Sequence, residues 1–295
     1  MRSLLGKSAT LVIVSSFLSI PVPQKSEAPK DDRILFAVWG PDEGKPPRPF
    51  MLDPIARIRG TTFADLLPEG KDREAASDNF EKIYFVPGRT YALLFGGSEL
   101  GSITVEKADE VGCEGQTATA MASKPTPHGL DALAITTIEG IRTHDNWRHV
   151  ASEEQKSEFA RLASDYLKAH GIAAFSLENL KIPSLRATRL RQGGPEVLIG
   201  SVSVKEKTKV HDLFLVIQFQ PGKTQTLLAS YHQSKDPEDG VDRQQEKFVD
   251  QLDMDGDGTD EIVTISGYYE SWDYAIYRQQ NGEWKLVYKG GGGGC

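Results

Sequence analysis

Short apolar runs separated by turn residues follow one another along most of this chain, a pattern typical of β-strands. Pro-Gly and Gly-Gly pairs lie between several of the runs, and Asn281-Gly282 favours a tight hairpin turn. The polar stretch 68–79 is predicted to be a surface loop. Strands are predicted at 34–39, 50–59, 82–86, 91–95, 102–106, 117–122, 133–137, 197–204, 213–219, 226–231, 248–252, 262–266, 274–277 and 284–288.

The stretch 152–170 has a different, helical period. Ser152 and Gln155 have the spacing of a capping box, and Gly171 stands where a C-terminal glycine cap belongs. One apolar face is predicted, formed by Phe159, Leu162, Ala163, Tyr166 and Leu167. The predicted fold class is therefore α+β, mainly antiparallel β with one substantial helix, in two packed β-rich units.

These patterns divide the chain into five parts. We expect a signal peptide over 1–28, an N-terminal β-rich unit over 29–145, a helix and connector over 146–180, a C-terminal β-rich unit over 181–289, and a flexible Gly-rich tail over 290–295. The tail is expected to be flexible because glycine imposes no side-chain restriction on the backbone.

The beginning of the chain has the features of an export signal. Arg2 and Lys7 precede an apolar stretch at 9–20, which is too short for a membrane helix of about 20 residues but fits a signal-peptide core. Ser26-Glu27-Ala28 places small residues where a signal peptidase reads them. The sequence therefore predicts export to the periplasm or the extracellular space, with an uncleaved anchor as the alternative.

Composition and charge limit the classes of function. Of 295 residues, 39% are apolar and 26% charged, an ordinary globular balance, and no other stretch is long enough to span a membrane. A net charge of -8 without a dense basic run disfavours nucleic acid as a partner. Cys113 and Cys295 allow either an internal disulfide or free and intermolecular thiols.

The acidic stretch 253–261 carries the most specific chemistry. Ca²⁺ binds six to eight oxygens, and carboxylates at alternate positions of a tight loop can all turn inward. The following residues are β-branched and favour a strand, so an EF-hand, which needs an exiting helix, is not expected. The predicted ligands of a Ca²⁺ site are Asp253, Asp255, Asp257 and Glu261 through their side chains and Thr259 through its carbonyl, with Gly258 permitting the bend.

A Ca²⁺ loop between two strands resembles the calcium loops of FG-GAP repeats, known from the propellers of integrin α-subunits. The resemblance covers roughly 249–288. It implies the same five ligands as above and places Asp260 toward solvent or a neighbouring loop.

No catalytic motif was recognised in the sequence. Aromatic residues following the acidic loop either pack a sheet face or form a platform for a sugar or peptide; they are Tyr268, Tyr269, Trp272, Tyr274, Tyr277 and Trp284. We expect an exported, non-catalytic protein with a structural Ca²⁺ loop and a module that binds a protein or carbohydrate. The alternative is a secreted hydrolase whose active site is assembled from dispersed acids and histidines, which a cleft with converging groups of that kind would favour.

Overall fold

A computed structural model describes most of the chain. The predicted signal peptide, Cys113 and Cys295 lie outside the described residues. The described residues are 32–40, 49–68, 70–111, 115–124, 131–206, 208–235 and 244–294.

Strands dominate the described part of the chain, and every strand pairing in it is antiparallel. This confirms the predicted fold class. The elements in chain order are β1 (Arg33–Trp39), β2 (Phe50–Arg59), β3 (Thr62–Ala64), a 3-10 turn (Gly70–Asp72), α1 (Arg73–Tyr84), β4 (Thr90–Phe95), β5 (Ser98–Val111), β6 (Gly115–Ala122), β7 (Ala132–Ile135), β8 (His149–Val150), α2 (Glu153–Ala169), α3 (Ala174–Leu177), β9 (Lys181–Thr188), β10 (Glu196–Lys205), β11 (Val210–Phe219), β12 (Gln225–Ser234), β13 (Gln245–Leu252), β14 (Glu261–Gly267), β15 (Ser271–Gln280) and β16 (Glu283–Gly294).

The strands form three sheets within the described residues. The first, which we call the ring, runs β1-β7-β4-β5-β6-β2 and closes through the pairing of β1 with β2; β3 extends it beyond β2. The central sheet is β13-β14-β15-β16, and the outer sheet is β12-β11-β10-β9-β8. The strands of the ring come from residues 33–135 and those of the other two sheets from residues 149–294.

The central sheet lies between the other two sheets. Alternate residues of its strands point to opposite faces, so one set packs on the ring and the other on the outer sheet. Val263 and Tyr274 pack against Leu35 of the ring. From its other face, Ile262 and Tyr277 belong to a buried cluster that includes Phe214 of the outer sheet. The central sheet is thus covered on both faces, by the ring on one and by the outer sheet on the other.

The predicted helix is confirmed as α2, with its caps. Ser152 Oγ accepts from the Gln155 backbone N–H and Gln155 Oε1 accepts from the Ser152 N–H, the two bonds of a capping box. Phe159 and Leu167 are fully buried against the far face of the outer sheet. That packing, rather than propensity, holds the helix in place.

Three expectations of local structure are wrong. The strand expected at 82–86 and the loop at 68–79 are replaced largely by α1, whose Phe80 and Tyr84 close one side of the ring core. The tail from Gly290 is also not free: β16 pairs with β15 as far as Gly294.

The glycine run is needed for close packing. Gly291 and Gly292 have positive φ, and a Cβ at either would collide with the carbonyl oxygens of Ile55 and Trp272 respectively. A Cβ on Gly290 would lie 2.6 Å from the Tyr288 hydroxyl oxygen and 2.8 Å from Asp65 Oδ1. The end of β16 therefore lies close to β2 of the ring and to β15, and a side chain at Gly291 or Gly292 would collide with backbone there.

Candidate metal site

The acidic loop connects β13 to β14 at one end of the central sheet. Both oxygens of Asp253 accept backbone N–H groups of the loop, from Gly256 at 2.7 Å and from Gly258 at 2.8 Å. Both glycines have positive φ, which lets the chain fold back around the Asp253 carboxylate. The loop is thus shaped by its own first residue.

Three of the predicted ligands converge. Ligand oxygens of Asp253, Asp255 and Glu261 lie within 4.8 Å of one another, and Asp253 and Glu261 are buried. Asp257 lies outside this cluster and accepts the backbone N–H of Thr259 at 2.7 Å. Asp257 and the Thr259 carbonyl stay predicted ligands.

Burial disfavours the ionised forms of the carboxylates in this cluster. It raises the pKa of Glu261 to about 7, although the Met254 N–H and Arg278 oppose the shift. Burial also raises the pKa of Asp253, against its hydrogen bonds from the loop glycines. A cation among these oxygens would reverse both shifts by favouring the ionised forms.

A single guanidinium partly neutralises the cluster. Arg278 Nε lies 3.1 Å from Asp255 Oδ2 and 2.5 Å from Glu261 Oε1. Its Nη1 donates to the Thr61 carbonyl, which ties it to the ring. Three carboxylates and one guanidinium leave a formal charge of -2 when all are ionised. A divalent cation is the simplest species that would balance it.

Asp260 faces a neighbouring loop rather than solvent. Its side chain is buried, and its Oδ2 lies 2.7 Å from both His144 Nε2 and Gln251 Nε2. Its backbone N–H donates to the Leu190 carbonyl at 2.7 Å. The prediction that Asp260 faces solvent is therefore wrong. Its side chain instead joins the acidic loop to the segment before β8.

The His144–Asp260 pair was not foreseen and is the strongest hint of catalysis. His144 lies with Ser98 and Glu99 on a cavity of about 440 Å³. Its Nδ1, however, lies 2.7 Å from the Asp145 carbonyl, so both ring nitrogens face acceptors. Burial lowers the pKa of His144, but the hydrogen bond and charge of Asp260 outweigh burial and raise it. A general base needs a ring nitrogen within reach of the proton it takes, and both nitrogens of His144 are already directed at the oxygens of Asp260 and Asp145.

The aromatic residues after the loop separate into two groups. Tyr274 and Tyr277 are buried in the central sheet, as the packing alternative expects. Tyr268, Tyr269 and Trp272 instead line a cavity of about 690 Å³ at the opposite end of the central sheet from the acidic loop. Trp284 belongs to neither group and lines a small cavity near Leu190.

The wall of the larger cavity also contains residues that sequence reasoning missed. Trp39 and Asp53, from β1 and β2, line it together with Lys247 of β13. Asp53 accepts hydrogen bonds from Trp272 and Tyr274, more than two hundred positions later in the chain. No local pattern signals a pairing at that separation.

Comparisons of the chain with protein-family models, with curated proteins and with solved structures found no match. Within the described residues, no helix has both the length and the hydropathy needed to cross a membrane.

Proposed function

We propose that this is an exported, non-catalytic protein in which a Ca²⁺ ion bound by the loop 253–261 stabilises a ligand-binding β module. The observation that carries the calcium half is the convergence of Asp253, Asp255 and Glu261 within 4.8 Å. Two oxygens on one Ca²⁺, each about 2.3–2.6 Å from it, can be at most about 5 Å apart. The observed spread is within that limit.

The donor set favours a hard cation. Every member of the cluster is a carboxylate, and thiolates and imidazoles, which softer metals select, do not belong to it within the described residues. The predicted Thr259 carbonyl and Asp257 carboxylate would add further oxygens. The resemblance to FG-GAP calcium loops supports the same assignment for this loop.

A structural role follows from the contacts of the loop. The Arg142 N–H donates to the Asp253 carbonyl at 3.1 Å, and Asp260 is bonded to the segment before β10 through Leu190. Arg278 reaches the ring at Thr61. An ion in this loop would hold together strands and linkers from all three sheets, so its binding energy adds to folding stability.

Thermal unfolding in Ca²⁺ and in chelator tests the calcium half. With a dissociation constant of about 10⁻⁴–10⁻³ M, about 1 mM Ca²⁺ adds roughly 0.4–1.4 kcal/mol to the free energy of unfolding. Asp255→Ala is expected to remove most of the increase in melting temperature. Asp78→Ala, which removes an exposed carboxylate from α1, is the matched control and is expected to keep it.

Equal melting temperatures in Ca²⁺ and in chelator for the wild type would reject a structural ion. The export half is tested separately by fractionating the native host. Mature protein outside the cytoplasm, shortened at its N-terminus, is the expected result, and full-length protein in the cytoplasm would contradict it.

A further inference from the structure

Arginines without a hydrogen-bond partner gather beside the acidic loop. Most arginines in the described part of the chain donate a side-chain hydrogen bond to another described residue. The exceptions, which form neither a side-chain hydrogen bond nor an ion pair within those ranges, are Arg73, Arg142, Arg189 and Arg191. Arg73 belongs to α1, whereas the other three lie in the segment before β8 and the segment between β9 and β10.

Two of these arginines share a cavity. Arg142 and Arg191 line a cavity of about 340 Å³, which is within the usual range for ligand pockets. The other residues on its wall are Thr143, His144, Gln192, Asp253 and Gly258. Three of them, Thr143, His144 and Gln192, also line the cavity of about 440 Å³ described above, so the two cavities adjoin. Both arginines are exposed, so a solute reaches them from solvent.

Glycines make room for both arginine side chains. A Cβ on Gly258 would lie 3.1 Å from Arg142 Nη1, so this guanidinium lies directly over the loop backbone. A Cβ on Gly194 would lie 2.6 Å from Arg191 Cγ and 3.2 Å from its Nε. The backbone of Arg142 is also held in place, because its N–H donates to the Asp253 carbonyl at 3.1 Å. Both side chains are therefore packed against backbone at positions that only glycine leaves open.

The smaller cavity places like charges together without a counter-charge between them. Two guanidiniums on one wall repel each other, and an anion between them would relieve that repulsion. The carboxylate on this wall, that of Asp253, already accepts the backbone N–H groups of Gly256 and Gly258. Glu99 and Asp145 line only the adjoining cavity. The smaller cavity thus offers two cations to an anion, in a chain whose net charge is -8.

We propose that this cavity binds the phosphoryl group of an anionic ligand, held between Arg142 and Arg191. A guanidinium presents a planar fork of N–H donors that matches phosphoryl and carboxylate oxygens. Charge decides between these groups. A phosphoryl group carries about -1.5 to -2 at pH 7 and balances two guanidiniums, whereas a single carboxylate leaves one positive charge. The remaining phosphoryl oxygen accepts from the Thr143 hydroxyl or the Gln192 amide on the same wall.

The adjoining cavity provides space for an organic group attached to the phosphoryl. Trp147 lines it and stacks on His144, with ring centroids 4.2 Å apart. An organic group lies against Trp147 while the phosphoryl group stays between the arginines. The inference rests on the ligand-binding half of the proposed function, for which it names the ligand class, and it does not require the Ca²⁺ ion.

Calorimetric titration of the mature protein, with the ³¹P NMR signal of the probe as a second readout, tests the proposal. The probes have similar shapes and different charges: phenyl phosphate, phenyl sulfate, benzoate and the neutral benzyl alcohol. Phenyl phosphate is expected to bind with a dissociation constant below about 1 mM, and at least about threefold more tightly than the singly charged probes.

Inorganic phosphate is titrated in the same way to identify the source of the phosphoryl group. Weaker binding of inorganic phosphate than of phenyl phosphate would identify a phosphorylated organic ligand. Equal binding would identify free phosphate as the ligand. Either result supports a phosphoryl site.

Matched variants separate the site from a general effect of charge. Arg142→Gln and Arg191→Gln are each expected to weaken the binding of phenyl phosphate at least about fivefold, because each removes one of the two guanidiniums. Arg73→Gln removes an exposed arginine that also forms no ion pair with the described residues, from α1, and is expected to leave binding unchanged. All three side chains are exposed, so the variants are expected to keep the circular dichroism spectrum of the wild type.

Three results would overturn the phosphoryl assignment. They are a folded wild type that binds neither phenyl phosphate nor inorganic phosphate up to about 10 mM, binding that Arg142→Gln or Arg191→Gln leaves unchanged, and binding of benzoate or benzyl alcohol as tight as that of phenyl phosphate. The melting shift in Ca²⁺, measured on the same protein, keeps the two halves apart. A wild type that shows the shift but binds no phosphoryl probe would overturn this inference alone, and phosphoryl binding without the shift would overturn the calcium half alone.

Discussion

Replacing Arg278 with Gln is expected to tighten Ca²⁺ binding. Its guanidinium contacts Asp255 and Glu261, two of the three converging carboxylates. It therefore competes for the charge that a bound ion would use. Gln keeps a side chain of similar shape and removes the positive charge.

The magnitude follows from the contact distances. An ion about 2.3–2.6 Å from the carboxylate oxygens would lie about 5 Å from a guanidinium that is itself about 3 Å from those oxygens. At an effective dielectric constant of about 20, a divalent and a monovalent cation at that distance repel by about 6–7 kcal/mol, before relaxation and screening. If relaxation and screening leave only a fifth of this repulsion, its removal lowers the dissociation constant for Ca²⁺ about tenfold.

Calorimetric titration of chelator-treated protein with Ca²⁺ measures the change. Arg161→Gln is the control, because it removes an exposed arginine from α2 that is also paired with two carboxylates. We expect at least about tenfold tighter binding for Arg278→Gln and no change for the control. The metal-free Arg278→Gln protein should melt at a lower temperature, since Asp255 and Glu261 lose their counter-charge. Weaker or equal Ca²⁺ binding by a folded Arg278→Gln protein would refute the reasoning.

Three further predictions concern stability, each measured by urea unfolding. Arg148→Ala should cost about 3–5 kcal/mol, because Asp250 is fully buried 3.1 Å from that guanidinium; a cost below about 1 kcal/mol would contradict this. Leu167→Ala, on the buried face of α2, should cost about 2–5 kcal/mol, and a negligible cost would mean that the helix is not packed as described. The pKa of Asp53 is raised from 3.8 to about 6 by burial, so folding favours its protonated form, and about 3 kcal/mol of stability is lost as the pH rises from about 4 to about 6. The free energy of unfolding of the wild type, taken relative to that of Asp53→Asn, should therefore fall by that amount over this pH range. A difference that does not change with pH would contradict this.

Most of the fold could be predicted because its strands have apolar faces that recur locally in the sequence. The helix α1 could not, since its large apolar residues, Phe80, Ile83 and Tyr84, are confined to its last five residues and the preceding residues are polar or small. The short run that contains Tyr84 and Phe85 has the composition of a strand, and only its packing under the ring decides otherwise.

The end of β16 was unpredictable for a different reason. Five consecutive glycines carry no side-chain pattern, and the strand there is fixed by contacts with Ile55 and Trp272. Glycine is required because its neighbours leave no room, which a single sequence does not reveal.

The sites also differ in how far they could be predicted from the sequence. The carboxylates of the acidic loop fall within a stretch of nine residues, so their spacing alone predicted a common centre. His144 meets Asp260 across 116 positions, and Trp272 meets Asp53 across 219. Such contacts arise only when the sheets pack together, which is why the buried environment of Asp260 and the cavity at Asp53 could not be inferred from sequence.

Counting the ions bound by the protein tests the central claim most directly. Chelator-treated wild type and Asp255→Ala would be dialysed to equilibrium against Ca²⁺ at several times the expected dissociation constant of about 10⁻⁴–10⁻³ M, and the bound metal measured by atomic emission. We expect about one Ca²⁺ per chain in the wild type and almost none in Asp255→Ala. A wild type that holds no more Ca²⁺ than the surrounding buffer would contradict this and reduce residues 253–261 to an acidic turn partly neutralised by Arg278.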